Sequence, residues 1–256
     1  MNIISVITIN YNNVEGLKKT IESVVSQTFQ DFEYLVIDGD STDESVEIIT
    51  STSRINYWSS EPDEGIYDAM NKGIAKSSGE YCLFLNSGDT FVENDVLRKV
   101  LTSLSSKKSF YYGNMILEKD NIKEECFAPT VINLDFILNN TFWHPCVFIK
   151  SELFQLYGSY DSSFKICGDY EFFVRCLIKP GISFEHINHF ITLFDGNGIS
   201  HDPSKKELQK QEREKAWFLN VSDLIFGALK KQNQFSRSKY AAVINFFQKI
   251  RGKSTF

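Results

Sequence analysis

Four apolar runs, each followed by a polar cluster and a helical pattern, recur through the first hundred residues, and this rhythm limits the fold more than anything else. Residues 3–9 are apolar and β-branched and read as a buried strand. Leu17, Ile21, Val24 and Val25 then recur at helical spacing. Residues 34–37 form a second strand, and Ser41-Thr42-Asp43-Glu44 reads as a capping box opening a helix over 45–50. A strand over 55–58, a helix over 67–75, a strand over 81–85 and a helix marked by Leu97, Val100, Leu101 and Leu104 complete the series. This alternation predicts an α/β fold with a mostly parallel, doubly wound sheet. Such sheets bind ligands beyond the carboxyl ends of their strands. The polar clusters at 10–13, 38–43, 61–64 and 86–89 fall at those ends. Each alone reads as a turn, since Asp, Asn and Gly favour turns; their shared position points to a binding rim.

From residue 110 the rhythm changes. A hairpin is expected over 110–117 and 123–127, a strand over 145–150 and a short helix ending at Tyr157. Gly168-Asp169 opens a helix with Phe172, Phe173, Cys176 and Leu177 on its apolar face, and strands follow at 182–187 and 190–194. The 256 residues suffice for a full core, and 22 Phe predict a phenylalanine-rich one. Net charge is -6, yet residues 224–256 carry seven Lys/Arg and no Asp/Glu. That asymmetry argues against a nucleic-acid binder and gives a basic tail its own task. No window approaches the roughly 20 apolar residues of a membrane span. Five cysteines without a C-x-x-C pair fit free thiols in a reducing cytoplasm.

The chain lacks a G-x-G-x-x-G turn after a strand, a G-x-x-x-x-G-K-[ST] loop, H-E-x-x-H and G-x-S-x-G. A parallel sheet without a glycine-rich phosphate loop must neutralise a bound diphosphate by other means. A divalent cation on carboxylates is the direct one, because Mg2+ and Mn2+ prefer oxygen ligands. Asp169, at a helix start, reads from position alone either as an N-cap or as a carboxylate kept ionised to serve as a base.

The stretches SVITINYNN, VIDGDSTDES and SEPDEGIYDAMNKGIAKSSGEYCLFLNSGD resemble the nucleotide-binding half of the family 2 glycosyltransferases. HPCVFIKSELFQLYGSYDSSFKICGDYEFFVRCL resembles the acceptor half. The SEPD-GIYDAMNKGI version is similar to bacterial transferases of capsular and exopolysaccharides, colanic-acid-type ones included. The resemblance spans residues 1–200 in order and implies the A-type glycosyltransferase fold. A catalytic domain would cover 1–201, with a nucleotide-sugar half at 1–109 and an acceptor half at 110–201, ahead of a helical basic tail at 202–256. It implies an inverting enzyme that moves a sugar from a nucleotide diphosphate, UDP first among nucleotides, to an acceptor hydroxyl in surface polysaccharide synthesis.

The same resemblance implies the residue roles. Asp38 would meet the nucleobase, with Thr8, Asn10, Tyr11 and Asp40 beside it, and Asp63, Asn71 and Lys72 would lie near the nucleotide and donor sugar. Asn86 and Ser87 stand where the metal-binding D-x-D element often has carboxylates, and would face the donor. Asp89 ends that element and would hold Mn2+ or Mg2+ with only water and diphosphate as companions. His201 would join the metal or diphosphate, an ordinary surface loop being the other reading. Asp169 would be the catalytic base, although Gly168 replaces the family's Glu. From the residues alone, Tyr67 and Trp143 read either as faces that stack on a sugar or as core aromatics, and His144, beside Trp143 and Pro145, either as lining the acceptor pocket or as packed in the core.

In the tail, Tyr240, Val243, Ile244, Phe247 and Ile250 form an apolar stripe flanked by Lys239, Lys249 and Arg251. That pattern suits an interfacial helix at an anionic membrane, or packing on the catalytic domain or on a homodimer partner. A saccharide on a polyprenyl diphosphate would match the first choice, with the enzyme cytoplasmic and peripheral on the inner face of the membrane. A non-catalytic nucleotide- or sugar-binding relative is the competing reading, resting on Gly168 and the NSGD variant.

Overall fold

The structure, a computed structural model, describes residues 3–104, 107–120, 122–196 and 202–221, together with 227 and 231. The first four strands, β1 (Ile4–Asn10), β2 (Glu33–Asp38), β3 (Tyr57–Ser60) and β4 (Tyr81–Phe84), alternate with helices α1 (Val14–Val25), α2 (Ser45–Ser51) and α3 (Ile66–Lys76). A two-residue strand β5 (Thr90–Phe91) and α4 (Val96–Leu101) close this half. The second half contains β6 (Phe110–Lys119), β7 (Ile122–Cys126), α5 (Leu134–Asn139), β8 (Val147–Lys150), α6 (Glu152–Tyr157), α7 (Gly168–Leu177), β9 (Phe184–Asp195) and α8 (Lys206–Asn220).

All nine strands join one sheet in the order β3-β2-β1-β4-β8-β6-β9-β5, with β7 paired to β6. The β1–β2, β1–β4 and β2–β3 pairs are parallel, so the four polar clusters do share one end of the sheet. Beyond β4 the sheet is mixed: β8 runs antiparallel to both β4 and β6, and β9 parallel to β6. Two antiparallel steps return β6 to the direction of β4. The β6 segment around Tyr112 and Gly113 therefore lies toward the same rim as the ends of β1 to β4.

Side chains alternate across each strand, and the burial divides accordingly. Ile4, Val6, Tyr34 and Val36 pack under α1, α2 and α4, whereas Ile7, Ile9, Leu35 and Ile37 pack under α3 and the helices of the second half. The phenylalanines concentrate on this second face, where Phe110, Phe142, Phe173 and Phe184 contact one another at ring separations of 5.0–5.8 Å. Helix α8 belongs to the same core, since Ala216 and Trp217 are buried in it and the Trp217 indole donates to the Tyr170 hydroxyl. At Gly79, an added Cβ would stand 2.6 Å from the Ser5 backbone nitrogen. Gly79→Ala is expected to cost about 1–3 kcal/mol of stability by overpacking, measured by chemical denaturation with the other glycines intact.

Three local expectations change. The capping box does not form: α2 starts after Glu44 without a side-chain cap, and the Asp43 carboxylate instead accepts from the Ser45 and Val14 amides, tying the starts of α1 and α2 together. The two strands expected at 182–194 are one strand, β9, whose pairing with β6 shifts register near Asn114. The segment expected to extend from Pro145 begins with a 3-10 turn (His144–Cys146) and becomes strand only at Val147.

Candidate active site

On the side of β1 to β3 the rim is organised by Asp38, at the end of β2. Its buried carboxylate accepts from Asn10 Nδ2 at 2.7 Å, the Ser41 hydroxyl at 2.6 Å, the Ser41 amide at 2.9 Å and the Ser60 hydroxyl at 2.7 Å. Both oxygens are thus committed to holding the ends of β1, β2 and β3 in register. Thr8 likewise stays inside the sheet, because its hydroxyl donates to the Leu85 carbonyl and meets the Tyr34 hydroxyl. Tyr11, 66% exposed, and Asp63 converge on Gly39: a Cβ there would lie 2.5 Å from Asp63 Oδ2 and 3.2 Å from the Tyr11 ring. Asp40 follows in the left-handed region (φ 65°), where Asp is among the few tolerated side chains. Asn10 Oδ1 and Asn86 Oδ1 are buried without a protein partner, which leaves two acceptors at the rim for a ligand to satisfy.

Asn71 and Lys72 have partners within the protein. Asn71 exchanges two hydrogen bonds with the Tyr160 backbone, tying α3 to the loop before α7. Lys72 donates to the Pro62 carbonyl and pairs with Glu61 and Asp68, bracing the β3–α3 turn.

The loop after β4 is fixed by α1. The Thr20 hydroxyl accepts from the Gly88 amide and lies 2.7 Å from the Asp89 carbonyl, and Asn13 Nδ2 donates to the Ser87 carbonyl at 3.1 Å. Gly88 has φ 107°, a conformation that glycine adopts without strain. Asp89 is buried, and its Oδ1 accepts from the Asp195 amide at 3.1 Å. Burial pushes its carboxyl up to about 8, the Asp195 charge adding to the rise and the Asp195 amide opposing it. Asp195 Oδ2 lies 3.4 Å from the position of a Cβ on Gly88. Asp89 therefore does not stand alone: the end of β9 brings a second carboxylate to the NSGD loop. Asp89 and Asp195 lie close enough for the charge of one to raise the other, and oxygen groups of this kind are the type that a hard divalent cation takes. Among the described residues no group of three or more His, Cys, Asp or Glu gathers around one point, so water and phosphate oxygens would complete the shell. His201 lies outside the described residues.

Asp169 stands in the first turn of α7, half-buried. Its Oδ1 lies 3.0 Å from the Tyr67 hydroxyl. Tyr67 is in the first turn of α3, directly after the 61–64 cluster, so this contact brings Asp169 to the rim. Burial, with the Asp169 charge next, raises Tyr67 well above the ordinary tyrosine value, and its proton is retained. Gly168 now has a physical reason: a Cβ there would meet three Tyr67 ring atoms at 2.9 Å. The Glu212 carboxylate of α8 reaches back to accept from the Lys165, Ile166 and Cys167 amides at 2.7–2.9 Å, fixing the approach to α7. Glu171 points away, paired with Arg175 at 2.7 Å.

His144 takes the packed alternative. It stacks on Phe84 at 4.9 Å, its Nε2 pairs with the Tyr160 hydroxyl at 2.8 Å, and burial lowers its pKa so that it stays neutral. Trp143 instead lines a cavity of about 450 Å³ together with Tyr112, Phe127, Phe136 and Phe142, and with Arg213 from α8. Thr141 Oγ1, also in the lining, is buried without a partner. The cavity rests on α7: the Tyr170 hydroxyl donates to the Ile137 carbonyl of α5, and Phe142 packs on Phe173.

Sequence reasoning missed Asp195, Glu212 and the Tyr67 contact. Asp195 had a local signal, an acidic residue followed by Gly at a strand end; Glu212 had none, being one Glu among several on a charged helix.

Residues 5–151 match the model of glycosyl transferase family 2. An uncharacterized glycosyltransferase of Mycobacterium tuberculosis is 35% identical over 184 residues, covering 68% of this chain and 69% of that relative. A PGL/p-HBAD biosynthesis glycosyltransferase of Mycobacterium bovis is 26% identical over 215 residues, covering 81% and 82%. Among solved structures, S. aureus TarS 1-349 in complex with UDP-GlcNAc superposes with a TM-score of 0.64 at 17% identity, over 76% of this chain and 58% of that one. The mannosyltransferase PcManGT from Pyrobaculum calidifontis, in complex with GDP-Man and Mn2+, gives 0.57 at 13% identity, over 75% and 56%. At those identities the superpositions show the A-type fold, and the chain spans less than two thirds of either solved chain.

Proposed function

This chain belongs to glycosyl transferase family 2, and from that premise we propose that it is an inverting transferase that moves a sugar from a UDP-sugar to a saccharide hydroxyl. The observation that carries this reading is the contact of Asp169 with Tyr67, which opens α3 directly after the 61–64 cluster, on a sheet whose β4 loop holds Asp89 against the end of β9 at Asp195. Asp169 would supply a base, and Asp89 with Asp195 a seat for the charge that balances a diphosphate.

Tyr11, exposed beside the bare Gly39 backbone, offers a nucleobase a stacking face, and Asp63 offers an acceptor for an imide N–H. Asp38 and Asn10 hold that rim from behind. Asp89 and Asp195 would hold a divalent cation, Mn2+ or Mg2+, which when bound stabilises charge on the departing diphosphate. The names of two fold neighbours support the choice: one is in complex with UDP-GlcNAc, the other with GDP-Man and Mn2+. In the transfer, the acceptor oxygen bonds to the anomeric carbon as the bond from that carbon to the diphosphate oxygen breaks. Asp169 takes the hydroxyl proton from the face opposite the leaving group. The result is one displacement with inversion and no covalent enzyme intermediate.

The acceptor's sugar is assigned to the aromatic cavity at Trp143, where ring faces, the unpartnered Thr141 hydroxyl and Arg213 combine stacking with hydrogen bonding. Assembly of a bacterial surface polysaccharide fits this chemistry. No helix among the described residues is long and apolar enough to cross a membrane. The stripe from Tyr240 to Ile250, on which a peripheral membrane contact or a homodimer would rest, lies outside the described residues.

A panel of nucleotide sugars, assayed for nucleoside diphosphate release and thermal stabilisation with Mn2+, Mg2+ or EDTA, tests the whole. Release from a UDP-sugar that EDTA abolishes is the expected result. Stabilisation by nucleotides without release from any donor would instead identify a non-catalytic nucleotide-binding relative.

A further inference from the structure

The geometry points to Tyr67 as the positioning residue of the catalytic base: its hydroxyl holds Asp169 Oδ1 against the backbone of the α7 entrance, leaving Oδ2 to meet the acceptor. This inference rests on Asp169 being the base.

The Tyr67 hydroxyl lies 2.6 Å from the Ile166 carbonyl and 3.0 Å from Asp169 Oδ1. A phenol has one proton and two lone pairs, so these two acceptors share a single donor while Asp169 is ionised. The Ile166 carbonyl is the nearer acceptor and the charged carboxylate the intrinsically stronger one, so the Tyr67 proton is shared between them. Once Asp169 has taken the acceptor's proton it has an O–H of its own. The Tyr67 proton then turns to Ile166, and the Tyr67 oxygen can accept from Asp169. Both protonation states of the base therefore find a partner without any heavy atom moving. No hydrogen bond among the described residues reaches Asp169 Oδ2.

The ring is as closely placed as the hydroxyl. Tyr67 is 4% exposed, packs on Tyr160 with ring centroids 5.7 Å apart, and occupies the space that a side chain on Gly168 would need. Helix α3 can present Tyr67 to α7 because Asn71, one turn further on, is tied to the Tyr160 backbone. A glycine at 168 and a tyrosine at 67 are thus two halves of one fit, 101 positions apart in the chain.

The titratable groups around this pair do not compete in the range where a carboxylate base works. Cys167 is pushed up to about 12 by burial and the Asp169 charge, Tyr160 is raised by burial, and His144 is lowered by it. Glu212 is committed to three backbone amides, and Arg213 lies over the Tyr170 ring.

Tyr67→Phe keeps the ring and removes the donor. With the donor sugar identified by release, this variant is expected to lower kcat about tenfold to a hundredfold with the donor KM unchanged. It is also expected to move the acid limb of the kcat profile about one pH unit higher, because a donor that favours the ionised carboxylate is gone. A ring needed only for packing would leave that limb in place. Gly168→Ala, which displaces the Tyr67 ring, should reproduce the kcat loss with nucleotide binding retained. Wild-type kcat and an unmoved acid limb in Tyr67→Phe, while Asp169→Asn is inactive, would overturn the inference and leave the base assignment standing. Full turnover by Asp169→Asn would remove both.

Discussion

Asp169→Asn is expected to lower transfer by about a hundredfold to ten thousandfold, the contribution of a positioned general base, with nucleotide-sugar affinity unchanged by titration calorimetry. The two outcomes separate because the residue contacts Tyr67 at the entrance to α7, whereas the elements around Asp38, Tyr11 and Asp63, where the nucleotide is proposed to sit, are built without it. The amide is isosteric and keeps an oxygen for Tyr67 to donate to, so the thermal midpoint should stay close to wild type. Position at a helix start also suits an N-cap, and that role predicts the reverse: lower stability with intact turnover. The structure weighs against a cap on its own terms, since residue 169 is inside α7 and Cys167 is the capping position.

The second large effect is expected at Asp89. Asp89→Asn should reduce turnover at saturating Mn2+ by about a hundredfold to a thousandfold, equivalent to several kcal/mol of transition-state charge stabilisation. Stability in EDTA should not fall below about pH 8, because the amide is neutral like the protonated carboxyl it replaces and still accepts from the Asp195 amide. The pH dependence has a definite sign. Burial raises the Asp89 carboxyl from 3.8 to about 8 in the folded chain, so between those values the folded state holds a proton that the unfolded state has released. Metal-free stability from this group is complete below the lower value and declines as pH rises to the upper one. The variant should flatten that part of the profile, and a divalent cation should restore wild-type stability at its alkaline end. Denaturation curves in EDTA at several pH values, repeated with Mn2+, measure both effects. A variant as active as wild type would remove the carboxylate pair from the chemistry.

What the sequence made legible follows from the range of its signals. The strands β1 to β4 and their rim clusters could be read because strand and helix periodicity, and the turn chemistry after each strand, are local. The parallel direction then followed from the alternation with helices. Asp38 was legible as a rim residue but not as one turned inward, since its four donors come from three separate segments. Asp195 lies 106 positions from Asp89, and the two meet only because β9 passes beside β6 and β5. Without that pairing the NSGD loop looks a carboxylate short. Gly168 gave a misleading hint of lost catalysis, and its cause is a steric one that appears only when Tyr67 is in place. The mixed half of the sheet was hardest, because an antiparallel strand inserted between parallel neighbours leaves no periodic mark of its own.

The reach of Glu212 back to residues 165–167 also bears on the order in which the molecule matures on the ribosome. The chain emerges amino end first, and early segments begin to fold before late ones exist. Strands β1 to β4 can close the nucleotide rim from the first hundred residues, and the α7 segment with Asp169 follows. The carboxylate that gathers the three amides before α7 is synthesised some 45 residues later still. The rim at the ends of β1 to β4 is therefore complete in the nascent chain well before the approach to α7, and with it the proposed base Asp169, is fixed in position by α8.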